Sequence, residues 1–433
     1  MQKIDILFII AYQNKQLPKL WSFIFIRVGI VTALSGIATQ MFISAFPQYL
    51  NQLGFSATNM GLIASGYTVC AMIMRVFAGV LIDKKGRRVM CVLGLALFTI
   101  PVLGLMGATT VAMIVFFRFT QGFGASLGNL AVGTMAPDVL PKERLGEGVA
   151  YFGLFNSLAT AIGPAIGIAL VTGANTKNFF LVSFAMGLAA ILVAMTVNYE
   201  KKEKQQSKGE ASVLSPEEEE AERRAQAEEQ ANAQRFFIWR FFDKRAVPAA
   251  IVTILVTIST VSITTFVTPY GIEIGLSGIG TFFTAQAITM IFARLASGKL
   301  QRRLGRFKTM LLGLACDIVA LVLLATMTNN AMMYGAAIMR GWGGGLYFPL
   351  LNVLSVENAS RTGRGKAVST YYAAYDLGAG VGAAIWGVVA DMFGKVSMAT
   401  GYRALFAGAA LFYVVIVPMT YLLLRKVDEP KQA

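Results

Sequence analysis

The chain has 433 residues, 56% of them hydrophobic, and a mean hydropathy of +0.61. Soluble domains are usually under half apolar, so a water-soluble core is excluded as the starting picture. The formal net charge is +15 and histidine is absent, which removes the commonest general base and the commonest zinc ligand and leaves enzyme readings little ground.

Residues 1–20 contain one short apolar stretch, Ile4 to Tyr12, without a basic start or a small-residue cleavage site, and read as a retained cytoplasmic tail. A membrane-spanning helix needs about 20 mostly apolar residues. Such runs fall at 21–46, 57–82, 88–107, 110–136, 149–172 and 178–199. Residues 200–246 interrupt them with a charged, Gln- and Ala-rich linker. Within it, Ser215-Pro216-Glu217-Glu218 has the form of a helix start. From Arg235 to Phe242 aromatics alternate with cations, as at a lipid headgroup interface. Six more apolar runs follow at 247–270, 277–300, 308–327, 331–355, 366–391 and 401–424, and 425–433 form a tail. The fold expected is all-α and integral to the membrane, with twelve transmembrane helices in two six-helix bundles, 21–199 and 247–424. Cys70, Cys91 and Cys316 lie in apolar stretches with no paired spacing, so neither disulfide nor metal site is expected.

The cations cluster in alternate breaks: Lys84, Lys85, Arg87 and Arg88; Lys142 and Arg144; Arg302, Arg303, Arg306 and Lys308; Arg361, Arg364 and Lys366. The opposite breaks hold few, such as Lys177, Lys395 and Arg403. By the positive-inside rule both termini and the linker are cytoplasmic, in a multi-pass protein of a prokaryotic inner membrane. The basic charge is thus orientation, and no nucleic-acid partner is expected.

At an offset of 219 residues Arg75 falls on Arg294, Gly79 on Gly298, Gly86 on Gly305 and Arg87 on Arg306. The same offset carries Asp138 to Glu357, Gly146 to Gly365 and Gly163 to Gly382. An acid recurs at the end of the fourth span of each half, placed to meet the repeated arginine. Duplicated six-span units are the pattern of transporters that bind solute between their repeats.

The break after the second span reads Gly79-Val80-Leu81-Ile82-Asp83-Lys84-Lys85-Gly86-Arg87-Arg88. Gly79 suits close helix approach, Gly86 a turn closed to residues with a Cβ, and Asp83 a helix end. This segment resembles the G-x-x-x-D-[RK]-x-G-R-[RK] hallmark of the major facilitator superfamily and matches it at every constrained position. The resemblance implies the major facilitator fold and a cytoplasmic latch, in which Asp83 meets the start of the eleventh span and Arg87 pairs with Asp138. In the second half Arg302 replaces the acid, so that latch is expected to be weaker and to depend on Arg306 with Glu357.

The fourth span carries Arg118-Phe119-Thr120-Gln121-Gly122-Phe123-Gly124-Ala125, similar to the family's R-x-x-Q-G-x-G-A element. An arginine this deep costs roughly 3 kcal/mol or more unless it faces partners or a wet cavity. The resemblance implies proton coupling, or fixing of an anionic substrate group, by Arg118 and Gln121; a purely structural arginine is the alternative. Arg340 in the tenth span falls three residues past the place the repeat predicts for Arg118 and is read as its approximate counterpart. The fifth span, Ala159 to Ile168, contains Gly163-Pro164 and Gly167 and is similar to an exporter-associated element, though Ala159 and Ile168 replace two of its glycines. A helix bend is expected there. Asp376, flanked by Tyr372 and Tyr375, is a mid-span carboxylate suited to proton exchange or to anchoring a cation, or else a structural acid bonded to a tyrosine. Asp317, in a span peripheral in the family, is read as structural.

Further cavity candidates are Gln40, Tyr67, Asn129, Asn156, Gln286, Tyr347, Asn352 and Tyr375. An apolar, aromatic cavity with few charges suits amphipathic solutes. The expected function is therefore monomeric, proton-coupled efflux of small amphipathic compounds by alternating access, with no cofactor or metal. Uptake by symport and a transporter-like membrane sensor are the alternatives.

Overall fold

The computed structural model describes residues 20–108, 110–141, 144–173, 175–198, 242–357 and 364–425. The tails, the linker with its helix from Ser215, the segment from Arg235 to Phe241 and the side chain of Asp83 lie outside the described residues. Among the described residues all regular structure is helical. In chain order the helices are α1 (Phe23–Gln52), α2 (Ala57–Lys85), α3 (Arg87–Met106), α4 (Val111–Asp138), α5 (Leu145–Val171), α6 (Lys177–Met195), α7 (Val247–Glu273), α8 (Gly280–Leu304), α9 (Arg306–Ala325), α10 (Asn330–Val356), α11 (Arg364–Phe393), α12 (Met398–Leu411) and α13 (Tyr413–Leu424).

Each helix satisfies its own backbone, as an apolar surrounding requires. Side chains finish the exposed N-termini. Ser22 accepts from the Phe25 amide at 3.1 Å, Thr110 from Met113 at 3.3 Å and Asn329 from Met332 at 3.0 Å. Inside the spans, hydroxyls turn back on their own helix: Thr32 donates to the Val28 carbonyl at 2.9 Å and Ser35 to Val31 at 2.7 Å.

Ten segments of the described chain are long and apolar enough to cross a membrane, α12 and α13 counting as one. The two remaining long helices are α8, which carries Arg294 and Lys299, and α10, which carries Arg340 and the glycines Gly341, Gly343, Gly344 and Gly345. Among the described residues twelve spans result. The last is interrupted at Phe412, where the Val415 amide turns to the Phe412 carbonyl at 2.9 Å while φ and ψ stay helical at −60° and −18°.

In the first half α1 packs on α5 and α6, and α4 on α2 and α3; in the second, α7 packs on α11 and α10 on α8 and α9. Between the halves α2 lies against α11, α5 against α8 and α1 against α7. Since α8 is the repeat of α2 and α11 the repeat of α5, the first two contacts are images of each other. The α2–α11 seam is close because glycines line it: a Cβ on Gly61 would strike the Ala383 carbonyl, and one on Gly387 the Ala57 carbonyl.

Candidate functional site

Two of the four helix breaks with clustered basic residues, after α2 and after α8, are tight turns on Gly86, with φ +95°, and Gly305, with φ +85°, a region that favours glycine. Each turn starts the next helix on an arginine. Arg87 Nε lies 2.8 Å from Asp138 Oδ2, and Arg306 Nη1 reaches Glu357 Oε1 and Oε2 at 3.1 and 3.0 Å. Arg88 donates to the Met195 carbonyl. Both ion pairs tie helices within one half, α3 to α4 and α9 to α10. Gly79 differs from expectation: a Cβ there would meet nothing within 4 Å. Contacts of α2 with α11, at Gly61, Ser65, Thr68 and Arg75, lie on the far side of Gly79 from the turn, so in this conformation the glycine serves no close approach.

Arg118 is buried between α1, α2 and α4. Its guanidinium lies 4.4 Å from the Tyr67 ring centre and 4.7 Å from that of Phe46, and Nη1 donates to Gln121 Oε1 at 2.9 Å. Gln121 in turn donates to the Phe98 carbonyl at 3.3 Å. Among the described residues no carboxylate pairs with Arg118, and its Nε has no hydrogen-bond partner.

In the second half the corresponding arginine is shifted. At the 219 offset Arg340 falls on Gln121, and the packing agrees: Gly122 abuts the Tyr67 carbonyl as Gly341 abuts that of Gln286. Arg340 is therefore the image of the amide, one helical turn from the place of Arg118. It holds Asp317 through Nη1 at 3.1 and 3.0 Å, and Asp317 also accepts from the hydroxyls of Tyr347 and Tyr413, the latter at 3.1 Å. Asp317 and Tyr347 are fully buried. Tyr347, expected to line a cavity, instead closes this internal network because Asp317 and Arg340 need its hydroxyl.

Asp376 meets Arg75 of the other half, not a tyrosine, and both side chains are nearly buried, 9% and 14% exposed. The Arg75 guanidinium also lies 4.8 Å from the Tyr372 ring centre. The image of this pair is Arg294 on α8 and Ser157 on α5, joined at 3.2 Å. Tyr371 and Tyr372 pack on each other at 5.2 Å, and Tyr375 lies 5.6 Å from Phe348, which together make an aromatic wall on α10 and α11. At the far end of the seam, Asp391 of α11 caps α2 of the other half, accepting from the Ala57 and Thr58 amides at 3.0 and 2.7 Å. Sequence reading missed Ser157, Arg294 and Asp391 as functional residues. The repeat offset applied to Asp376 points to Ser157; nothing local marks Asp391.

In α5, which remains one helix through Pro164, Gly163 and Gly167 serve close packing on α1: a Cβ on the first would meet Gln40 and Ile37, on the second Met41. Gln40 donates to Thr160 at 3.1 Å across the same contact. Asn156 and Tyr375 are exposed and Asn352 is half-buried. Asn129 borders a small gap within the first half, beside Ser35, Thr39 and Phe98. The Gln286 side-chain oxygen is buried without a hydrogen-bond partner among the described residues.

The family profile of the Major Facilitator Superfamily matches residues 28–329 and 274–433. The chain is 24% identical over 408 residues to the staphylopine export protein of Staphylococcus aureus (strain Mu50), covering 92% of this chain and 95% of that protein. It is 23% identical over 192 residues to the quinolone resistance protein NorA of Staphylococcus aureus (strain MRSA252), 44% of this chain and 46% of that one. Among solved structures, a bacterial homologue of the human lysosomal transporter Spinster, inward-facing and unoccupied, superposes with a TM-score of 0.72 at 14% identity, over 96% of this chain and all of that one. The D-xylose-proton symporter superposes with a TM-score of 0.69 at 15% identity, over 92% and 98%.

Proposed function

The chain belongs to the Major Facilitator Superfamily, and from that premise we propose that this transporter exports small amphipathic compounds in exchange for protons. The two six-helix halves alternate access by rocking about the α2–α11 and α5–α8 seams. The export direction rests on the likeness to an export protein over nearly the whole of both chains.

The observation that carries the reading is the Arg75–Asp376 pair, which crosses between the halves. By the positive-inside rule the Gly86 and Gly305 turns face the cytoplasm, so the seam from Arg75 to Asp391 closes the outer side. In that state Asp376 is ionised against Arg75. Parting α2 from α11 to open the outer side leaves the carboxylate without its guanidinium in an apolar setting, where it takes a proton from outside. Reclosure returns Arg75, and the proton leaves toward the cytoplasm. Proton entry thus belongs to the return step, and solute leaves on the opposite one. The transporter is read as a monomer in the plasma membrane, with both termini cytoplasmic.

The test is transport of norfloxacin, an intrinsically fluorescent quinolone, by purified protein in proteoliposomes with an imposed pH gradient. Accumulation against proton flow, lost in Asp376→Asn, is the expected result. Movement with the protons would establish uptake instead, and binding without flux a sensor.

A further inference from the structure

The repeat places four side chains in two equivalent cross-half contacts, and one of the four breaks the symmetry. Arg75 has Asp376; Arg294, its image, has Ser157 where the acid should be. Arg75 is thereby neutralised and nearly buried, whereas Arg294 is exposed although it sits midway along α8 on the seam between the halves. Tyr371 and Tyr372 are its electrostatic neighbours. Among the described residues no carboxylate pairs with it. A guanidinium at this depth gains greatly from a counter-anion, and its planar fork fits a carboxylate in particular.

We propose that Arg294, assisted by the Ser157 hydroxyl, binds the carboxylate of the transported solute, so that the solutes favoured are carboxylate-bearing aromatic or amphipathic molecules. The aromatic wall of Tyr372, Tyr375 and Phe348 offers faces for the apolar part. The assignment rests on the transport reading above and adds the substrate class and the residue that selects it. Serine at 157 has a purpose in this arrangement: an acid there would occupy Arg294 permanently, as Asp376 occupies Arg75.

The experiment compares norfloxacin with its methyl ester, which lacks the anionic group, in proteoliposomes of phosphatidylcholine, whose headgroups bear no net negative charge. The readout is the ratio of KM values for ester and acid. Wild type should favour the acid by about tenfold. Arg294→Gln should bring the ratio near one, Ser157→Asp should do the same by supplying an internal carboxylate, and Arg294→Lys should keep part of the preference. If wild type handles acid and ester alike, or if Arg294→Gln and Ser157→Asp keep the preference, the assignment fails while transport itself stands. If added phosphatidylglycerol abolishes the preference in wild type, the guanidinium serves a lipid headgroup and the assignment also fails. If wild type moves neither compound, the transport reading fails and this one with it.

Discussion

Asp376 and Ser157 occupy equivalent places in the two repeats, and each receives a guanidinium from the opposite half, from Arg75 and Arg294 respectively. The carboxylate makes one contact a charged lock, and the hydroxyl makes the other a weaker hydrogen bond. Both bonds have an ionised donor, but only the first also joins opposite charges, whose attraction grows in a low-dielectric setting, so the α2–α11 seam is the one whose opening must be matched by another event, which in the proposed cycle is protonation. Single substitutions Arg75→Gln and Asp376→Asn should each abolish gradient-driven norfloxacin transport. The double variant Arg75→Gln with Asp376→Asn should lose less thermal stability than the two single losses added together, with a coupling of about 0.5–3 kcal/mol. Additive losses across that cycle would show that the two residues do not act as a pair.

The Arg340–Asp317 cluster has the opposite character. Asp317 is fully buried, accepts from an arginine and two tyrosines, and lies wholly within the second half. Breaking a buried pair by removing one charge costs about 3–5 kcal/mol. Asp317→Asn should therefore lower the melting temperature of the purified protein far more than Asp376→Asn, and Tyr413→Phe, which removes one hydrogen bond, should cost only about 1 kcal/mol. Equal melting temperatures for the two aspartate variants would overturn the division between a structural and a switching acid.

Asp391 holds the end of the seam farther from the Gly86 turn by capping α2 across the halves. An N-cap contributes about 1 kcal/mol, and that much free energy changes a two-state ratio roughly fivefold. Asp391→Ala should raise the population in which α2 and α11 are parted by about that factor. Spin labels at the exposed positions Asn59 and Phe393 would report it as growth of a longer-distance component; an unchanged distance distribution would remove Asp391 from the gate.

Much of the fold was legible because membrane helices declare themselves by the length of apolar runs, and the runs are separated by charged breaks. Where local backbone chemistry decides, the sequence reading was less sharp. The apolar pattern puts the eighth span at 277–300, but Gly275 and Gly278 take positive φ values of +73° and +71°, which delays α8 to Gly280, and the helix then runs on to the Gly305 turn. The interruption at Phe412 has no marker in an unbroken apolar run. At the site, the offset that matches Arg75 with Arg294 already contains the asymmetry, yet the partners of these arginines lie 301 and 137 residues away in sequence, so only the folded seam shows that Asp376 and Ser157 are the residues to compare. Arg340 shares its chemistry with Arg118, which makes the two look like counterparts, but its packing matches it to Gln121.

Arg118 lies against the faces of Tyr67 and Phe46 and bonds Gln121, with no carboxylate partner among the described residues. What holds it is a flat guanidinium stacked on rings, a role that an ammonium fills poorly, since lysine lacks both the plane and the fork. Arg118→Lys should therefore lose nearly as much transport as Arg118→Ala, even though it preserves the charge. At position 67 the ring should matter more than the hydroxyl: Tyr67→Phe should retain transport, while Tyr67→Leu should weaken the arginine's seat by about 0.5–2 kcal/mol. Initial rates of norfloxacin transport at matched protein density measure both comparisons. Full activity in Arg118→Lys would mean that charge alone suffices at this position, and the aromatic seat would then be packing without a transport role.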